Sequence, residues 1–421
     1  TRVNASQLIE KGRENVLLQS NSFDTTWLNQ LGTGGTITGG QSGYDGTSDA
    51  WLINKGGGTY RGIRQIISFS GVITYSVYAK SGSLNTVNLR FETTAGNAEA
   101  VYDLSDGSSA LMGGVAIEFG AENVGDGWYR LYLTSNATIT NVHIYVDRDN
   151  TDTGNILIQD AQLESGLAAT EVIETGASTA QAGVLEYTPR FDYSGGATCP
   201  SLLLEPSRIN VLAISEYFSG SDWINNGVVT TDNAAISPEG KTNATLLRGT
   251  AGGLGIVKFN TWTPTNKVAS CFAKKGLVGN IFKIANVSAA DRYVLFDLSD
   301  GTVEEEKPGW TGSIEDFGLG WYRCTAISNS ESGTFSLGTT AAGDSVYIYG
   351  AQLEAGSYPT SYIPTYGTSA SRAQDDCRKS SATSLIGQTE GTLYWEGTSV
   401  YVSNQGANIA SFNYSTGSSV S

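Results

Sequence analysis

The stretch Asn155-Ile-Leu-Ile-Gln-Asp-Ala-Gln-Leu-Glu-Ser-Gly166 recurs as Ser345-Val-Tyr-Ile-Tyr-Gly-Ala-Gln-Leu-Glu-Ala-Gly356. In the first copy Ala161 and Leu163 share one parity, which predicts a β-strand with these side chains facing a core. The isoleucine three residues before the alanine has the opposite parity, so we expect a bulge between them. Gly350 stands where a bulge tolerates glycine best. Two copies of one closing strand predict two copies of one domain.

Further blocks repeat in the same order along the chain. Leu8–Leu17 matches Leu203–Leu212, and Gly127–Arg130 matches Gly320–Arg323. The offset falls from 195 residues in the first pair to 190 at the closing strand, as expected if loops vary in length and strands do not. The period is too long for a stacked solenoid, so the pattern predicts two complete domains. Each would have roughly 165 residues, a size at which a domain can fold alone.

The composition predicts an all-β fold with many tight turns. The chain has 52 Gly, only 8 Pro and 21 Tyr. Val72–Tyr78 and Trp128–Thr134 alternate as half-buried strands do, and Leu-Ser-Asp-Gly occurs twice as a turn. We therefore predict antiparallel two-sheet sandwiches of jelly-roll type, repeated in tandem.

Four segments follow from this interpretation. The segment between the repeats carries the apolar stretch Cys199–Pro206, which predicts a β-hairpin packed on one of the domains. After the second repeat, Glu390–Glu396 starts a new alternating strand that predicts a further sandwich, cut short at Ser421. The predicted divisions are a first jelly-roll repeat at 1–176, a connecting hairpin at 177–202, a second repeat at 203–372 and the start of a third sandwich at 373–421.

The net charge of −16 and the isoelectric point of about 4.5 argue against nucleic-acid binding, which needs clustered Lys and Arg. No apolar run has the length of a transmembrane helix and no signal peptide is visible, so we expect no membrane insertion. The chain begins with Thr1 rather than Met, which is compatible with a piece of a longer protein.

Several blocks resemble bacteriophage virion proteins, mostly tail or tail-fibre chains. The resemblance rests on Asn15–Asn21, Gly127–Arg130, Cys199–Pro206 and Ala351–Thr365, and it extends over nearly the whole chain. The most specific part is Gly-Ala-Gln-Leu-Glu followed by Ser-Tyr-Ile-Pro-Thr.

The resemblance implies tandem jelly rolls similar to carbohydrate-binding modules, followed by a concanavalin A-like (laminin G-like) domain. Leu385–Leu393 resembles the first strand of such a domain. It implies a virion surface component that assembles in the host cytoplasm with other virion proteins as a homo-oligomer, with a trimer favoured. The family carries no agreed catalytic motif, so no active-site residue transfers. Ile209 and Ala213 depart from the pattern, standing where relatives tend to have a polar residue and a Leu.

A loop before the first closing strand offers a candidate calcium site. Asp147, Asp149 and Asp152 place several carboxylate oxygens close together, and hard cations prefer six to eight oxygen ligands. The spacing is not that of an EF-hand, and a solvated turn remains the alternative. No other cofactor is required, and any calcium would be structural.

Aromatic residues supply the candidate ligand contacts, because sugar-binding sites stack aromatic rings on pyranoses. Tryptophans that recur in both repeats or sit in strand patterns are expected in the cores: Trp27, Trp51, Trp128, Trp223 and Trp321. Aromatics without a counterpart, in predicted loops, are the ligand candidates: Tyr44, Tyr60, Trp262 and Trp310. A loop anchor or a subunit contact remains open for each of them.

Catalytic chemistry finds little support. His143 is the only histidine, its parity predicts an outward-facing strand residue, and no Gly-x-Ser-x-Gly elbow accompanies it. The cysteines have no zinc spacing. Cys271 and Cys324 replace core residues and are expected to be buried thiols, while Cys199 and Cys377 flank the second repeat and could form a disulfide.

We therefore expect a non-enzymatic virion protein, a tail fibre or receptor-binding adhesin that recognises host-surface polysaccharide. Two alternatives stay open. One is a capsid or neck decoration fibre that binds no sugar. The other is a capsule-degrading glycosidase spike, which would need only two carboxylates.

Overall fold

A computed structural model describes residues 1–94, 96–250, 255–258, 266–287, 291–329, 333–377, 412–413 and 419–420. The chain divides into two compact units, Thr1–Gln374 and Asp375–Ser421. Within the second unit Phe412–Asn413 pairs antiparallel with Ser419–Val420. The rest of the predicted third sandwich beyond Cys377 lies outside the described residues.

The described part of the first unit consists of β-strands, turns and one short 3-10 helix at Ser194–Gly196. The strands up to the end of the first repeat are β1 (Arg2–Val3), β2 (Ile9–Glu10), β3 (Gly12–Asn15), β4 (Leu28–Asn29), β5 (Thr36–Gln41), β6 (Ala50–Lys55), β7 (Gly62–Ser81), β8 (Thr86–Thr93), β9 (Ala98–Asp103), β10 (Ser109–Gly113), β11 (Glu118–Gly125), β12 (Trp128–Val146) and β13 (Gly154–Ser165). The strands that follow are β14 (Ala180–Gly183), β15 (Phe191–Asp192), β16 (Ser201–Leu202), β17 (Arg208–Asn210), β18 (Ile224–Asn226), β19 (Val228–Ile236), β20 (Thr242–Gly249), β21 (Gly255–Lys258), β22 (Asn266–Lys275), β23 (Ile281–Asn286), β24 (Tyr293–Asp297), β25 (Thr302–Glu306), β26 (Trp310–Asp316), β27 (Trp321–Asn329), β28 (Phe335–Gly338), β29 (Ser345–Ala355) and β30 (Ala370–Arg372).

The second repeat is an antiparallel sandwich of two six-stranded sheets. Sheet 1 has the order β19-β20-β29-β22-β27-β26 and contains the closing strand β29. Sheet 2 has the order β18-β21-β28-β23-β24-β25. One core cluster draws residues from both sheets, for example Cys271 of sheet 1 and Phe296 of sheet 2, so the two sheets pack face to face.

The first repeat has the same strand order, but its two sheets are continuous. β7 and β12 are 20 and 19 residues long, and they pair with each other from Gly62 to Lys80. The second half of β7 and the first half of β12 lie in sheet 1 with β11, β13, β6 and β5. The first half of β7 and the second half of β12 lie in sheet 2 with β4, β8, β9 and β10. The prediction of an all-β chain with two tandem sandwiches is confirmed.

The closing strands carry the bulge that the sequence predicts. The register of β13 shifts between Gln159 and Gln162, and that of β29 shifts at the equivalent place. Asp160 and Gly350 occupy the bulge with φ of 49° and 61°. The left-handed conformation explains why one copy has glycine there, since glycine adopts it without steric cost.

The two repeats contact each other within the first unit. Ile9 joins a core cluster with Phe272 and Trp321 of the second repeat. Val72 N donates to Tyr366 O at 2.7 Å, and a Cβ on Gly71 would lie 1.9 Å from the same oxygen. Glycine is therefore required at position 71 for the repeats to approach this closely.

Candidate functional site

A row of polar residues crosses the outer surface of sheet 2 in the first repeat. Arg64 lies opposite His143, His143 opposite Arg90, and Arg90 opposite Glu99, across β7, β12, β8 and β9. Residues directly opposite each other share a sheet face. The neighbouring row is wholly apolar and buried in the core: Ile63, Ile144, Leu89 and Ala100.

We call the surface around this row the Tyr60 face. It consists of Tyr60, Arg64, Arg90, Glu92, Glu99, His143, Tyr145 and Arg148. The strand alternation that buries the apolar row necessarily presents the polar row on the opposite side.

Glu99 anchors one half of the Tyr60 face. Its carboxylate accepts from Arg148 Nη1 at 2.5 Å and from Asn88 Nδ2 at 3.1 Å, and lies 3.8 Å from Arg90 Nη1. Arg148 also donates to Tyr60 Oη at 2.8 Å, with its guanidinium 4.4 Å from the Tyr60 ring centroid. Glu99 is 4% exposed and Tyr60 48% exposed, so a buried ionic layer supports an accessible aromatic ring.

His143 anchors the other half. Its Nε2 lies 3.0 Å from Glu92 Oε2, and its ring stacks on Tyr145 at 5.0 Å between centroids. Burial lowers the pKa of His143, and the positive charges of Arg90 and Arg64 add to this effect, although Glu92 opposes it. A neutral imidazole that donates from Nε2 to Glu92 keeps Nδ1 as a hydrogen-bond acceptor.

Several buried atoms of the Tyr60 face have no hydrogen-bond partner within the described residues. They are the Nε atoms of Arg64, Arg90 and Arg148, which are donors, and Nδ1 of His143. Buried polar atoms normally find partners, and leaving them without one costs about 1–3 kcal/mol each. The face therefore retains both donor and acceptor capacity, which is the combination that hydroxyl groups satisfy.

The second repeat lacks this arrangement at the register-equivalent positions. Its row across β21, β28, β23 and β24 reads Val257, Ser336, Ala285 and Tyr293. The adjacent core row is preserved as Ile256, Leu337, Ile284 and Val294. The charged row is thus a feature of one repeat on a fold that both share.

The outer face of sheet 1 is covered in both repeats. Gln162 Oε1 accepts from Ile173 N at 2.7 Å, and Glu164 Oε1 accepts from Thr170 N at 2.9 Å. The second repeat makes the same bonds from Gln352 to Ile363 N and from Glu354 to Thr360 N, at 2.6 and 2.8 Å. The Gln and Glu of the repeated stretch hold the following segment against the sheet. The outer face of sheet 1 therefore has a structural role.

The predicted aromatic ligand residues are distributed over different environments. Tyr60 lies on the Tyr60 face. Tyr44 stacks on Tyr78 at 3.7 Å and donates to Asp160 Oδ2 at 3.0 Å, so its ring serves packing. Trp310 packs against the second core and lines a cavity of about 30 Å³. Trp262 lies outside the described residues.

A lysine occupies the loop predicted to hold calcium. Lys55, which is 1% exposed, donates from Nζ to the carbonyls of Asp147 and Asn150 at 2.5 and 2.8 Å. Asp149 pairs instead with Arg148 at 3.2 Å, and Asp152 is exposed. Across the described ranges, no group of three His, Cys, Asp or Glu could hold a metal ion. The ammonium group takes the place of the expected cation.

The cysteines are free thiols. Cys271 and Cys324 are fully buried, which confirms the prediction for this pair. Cys199 and Cys377 are exposed, and the bridge between them stays a prediction. In the part of the chain that the structure describes, no helix has the length and apolar character needed to cross a membrane.

The sequence did not predict a functional role for most residues of the Tyr60 face. Arg64, Arg90 and Glu99 are ordinary charged residues in alternating strands, and only the cross-strand register brings them together. The outward parity of His143 was the one available signal. Comparing the repeats position by position along their strands would have shown that the first has charges where the second has Ser and Ala.

The comparisons with known proteins do not assign the chain to a family. No family model matches the chain, and no curated protein matches it. Among solved structures, one match is the N-terminal CBM22-1-CBM22-2 tandem domain of Xyn10C from Paenibacillus barcinonensis. It shows 10% identity and a TM-score of 0.24, over 83% of this chain and 99% of that chain. At these values the similarity carries no argument, and the architecture rests on the strand pairings described above.

Proposed function

We propose that this chain is a glycan-binding surface protein of a bacteriophage particle, a tail fibre or receptor-binding component that engages host polysaccharide through the Tyr60 face. The observation that carries the binding role is the exposed ring of Tyr60 above a layer of arginines and carboxylates in the first repeat. Among the described residues, the register-equivalent row of the second repeat carries no charged side chain. The phage context is supported by the sequence resemblance centred on Ala351–Thr365.

The chemistry of this face suits a sugar. A pyranose presents apolar C–H groups to an aromatic ring, and Tyr60 offers one that is half exposed. On the same face, Glu92 and Arg64 have side chains that are 39% and 29% exposed and can exchange hydrogen bonds with hydroxyl groups. Binding rather than hydrolysis is the proposed role.

Affinity would arise from several copies acting together. One flat, solvent-accessible site binds weakly, but linked sites on an oligomer raise the overall affinity by about 10²–10⁴ without any new contact. We propose a homo-oligomeric assembly, with a trimer favoured, that presents several Tyr60 faces to the host surface.

The test uses the purified full chain on an array of bacterial surface polysaccharides, with antibody labelling of the intact particle in parallel. We expect binding to at least one acetylated or neutral polysaccharide and a label at the tail or particle surface. Absence of binding to every polysaccharide would contradict the adhesin and favour a decoration fibre. New reducing ends during incubation would contradict the non-enzymatic role.

A further inference from the structure

A cavity of about 370 Å³ lies where the two repeats meet, away from the Tyr60 face. One wall comes from the first repeat and the segments beside it, including Arg13 and Leu167. The other comes from the second repeat, including Glu239, Asn243 and Tyr366. The volume falls at the lower end of the range of about 300–1,000 Å³ that small-molecule sites occupy. We call this space the junction cavity.

The polar side of the junction cavity has an unused acceptor. Asn243 is 1% exposed, and its Nδ2 donates to Glu239 Oε1 at 3.0 Å. Its Oδ1 is buried and, among the described residues, has no hydrogen-bond partner. A buried amide oxygen without a partner is a destabilised group that a ligand hydroxyl would satisfy.

The apolar side is formed by half-buried rings and aliphatic groups. Phe69, Val184 and Tyr366 line it together with the buried Leu167. An aromatic and aliphatic wall opposite a polar one suits a small molecule with one C–H-rich surface and several hydroxyl groups.

The buried charges at the cavity are paired, and the half-buried Glu14 and the exposed Glu186 also line it. Lys11 Nζ lies 3.0 Å from Glu216 Oε1 and also pairs with Glu239. Arg13 Nη1 lies 3.0 Å from Glu171 Oε2. An anionic ligand would be repelled by Glu14 and Glu186, and a cationic ligand would lose its hydration at a wall whose buried charges are already paired. A neutral ligand meets neither cost.

We propose that the junction cavity binds a small, neutral, polyhydroxylated ligand of the size of one or two pyranose rings. Such a ligand contacts both repeats, so its binding stabilises their junction through mass action. The inference stands on the cavity and its walls and does not depend on sugar binding at the Tyr60 face.

The test uses saturation-transfer NMR on the full chain with D-glucose, D-galactose, D-mannose and N-acetyl-D-glucosamine at about 10 mM each, well above a weak Kd of ~1 mM. Ala168→Phe places a ring in the cavity, and Asn243→Ala removes the free acceptor. Tyr60→Ala serves as the control for the other face.

We expect transfer to at least one neutral sugar that persists in Tyr60→Ala. In that Tyr60→Ala background it is abolished by adding Ala168→Phe and weakened about tenfold by adding Asn243→Ala. If Asn243→Ala does not fold, as judged by its melting curve, Ala168→Phe decides the outcome. Absence of binding to all four sugars overturns the inference. So does transfer that survives Ala168→Phe in the Tyr60→Ala background, where the Tyr60 face no longer contributes. Complete loss with Tyr60→Ala alone would place the sugar on the Tyr60 face and leave the proposed function standing.

Discussion

The two repeats share their hydrogen-bond framework in detail and differ in what they present on sheet 2. Asn15 Nδ2 donates to Ala161 O at 3.1 Å and to Ile173 O at 2.8 Å. Asn210 repeats the pattern with Ala351 O and Ile363 O at 3.1 and 2.9 Å. In contrast, the charged row of the first repeat is replaced by uncharged residues in the second.

This difference separates the residues that maintain the sandwich from those available for binding. The asparagines and the closing-strand Gln and Glu are buried and satisfy backbone groups that have no strand partner, so both copies need them. The residues of the outer row of sheet 2 are not needed to maintain the sandwich, because the neighbouring apolar row already fills the core. A charged layer could therefore develop in one copy without cost to the fold of the other.

The largest expected effect concerns Lys11, for which the second repeat has Pro206 at the matching position. Burial alone would lower the pKa of Lys11, but the carboxylates of Glu216 and Glu239 outweigh this and raise it. Lys11→Met removes the cation that both buried carboxylates share and leaves Glu239 only the longer contact of 3.8 Å to Arg13. We therefore expect a loss of about 3–5 kcal/mol in the free energy of unfolding.

Urea denaturation of the full chain measures this loss. Lys241→Met is the control, because Lys241 pairs at 2.6 Å with Glu171, whose side chain is 76% exposed, and such pairs contribute about 0–1 kcal/mol. Equal effects of the two substitutions would show that Lys11 does not hold the repeats together.

The second prediction tests the equivalence of the frameworks. Asn15→Ala and Asn210→Ala each remove four buried hydrogen bonds, including those accepted from Leu163 N and Leu353 N at 3.1 Å. We expect each to lower the free energy of unfolding by about 3 kcal/mol, and both by similar amounts. The exposed Asn136→Ala should change it by less than about 0.5 kcal/mol. Denaturation curves in which only one of the two matched variants is destabilised would break the comparison.

A smaller, pH-dependent effect is expected at the bulge, where Asp160 in the first repeat corresponds to Gly350. Burial raises the pKa of Asp160 to about 6, and the charges of Asp49 and Asp45 contribute. The folded state therefore binds a proton more tightly than the unfolded state, whose pKa is about 3.8. The resulting stability is present below about pH 4 and is lost as the pH rises through about 6.

Asp160→Asn removes the penalised charge and keeps a residue that tolerates positive φ. We expect it to raise the free energy of unfolding by about 1–2 kcal/mol at pH 8 and to have no effect at pH 4. Asp106→Asn is the control with the opposite sign at pH 8, because hydrogen bonds from Ser108 lower the pKa of Asp106. Thermal melts at the two pH values measure both, and a gain for Asp160→Asn that does not change with pH would contradict the assignment.

Much of the fold could be predicted from the sequence because duplication is visible in it. The matched blocks, the alternation of apolar residues and the glycine at position 350 predicted two sandwiches, a closing strand and its bulge. The sequence could not show that β7 and β12 run through both sheets. This depends on whether the two strands stay paired with each other where the chain passes from sheet 1 to sheet 2.

The candidate site was harder to predict for a physical reason. Tyr60 was identified as an unmatched aromatic residue, but its setting depends on Arg148 and on residues of four strands, which only the register brings together. The calcium prediction counted carboxylates in one loop and could not include Lys55, whose ammonium group reaches that loop from β6.

The central claim is that the Tyr60 face of the first repeat, and not the equivalent surface of the second, binds glycan. The most direct test compares the affinity of wild-type protein, Tyr60→Ala and Tyr293→Ala for a polysaccharide bound by the wild type, using surface plasmon resonance. Tyr293 lies on β24 in the row equivalent to the charged row, which makes it the matched control. We expect about a tenfold or greater loss for Tyr60→Ala and no change for Tyr293→Ala. Equal affinities of the two variants, or a loss confined to Tyr293→Ala, would contradict the claim.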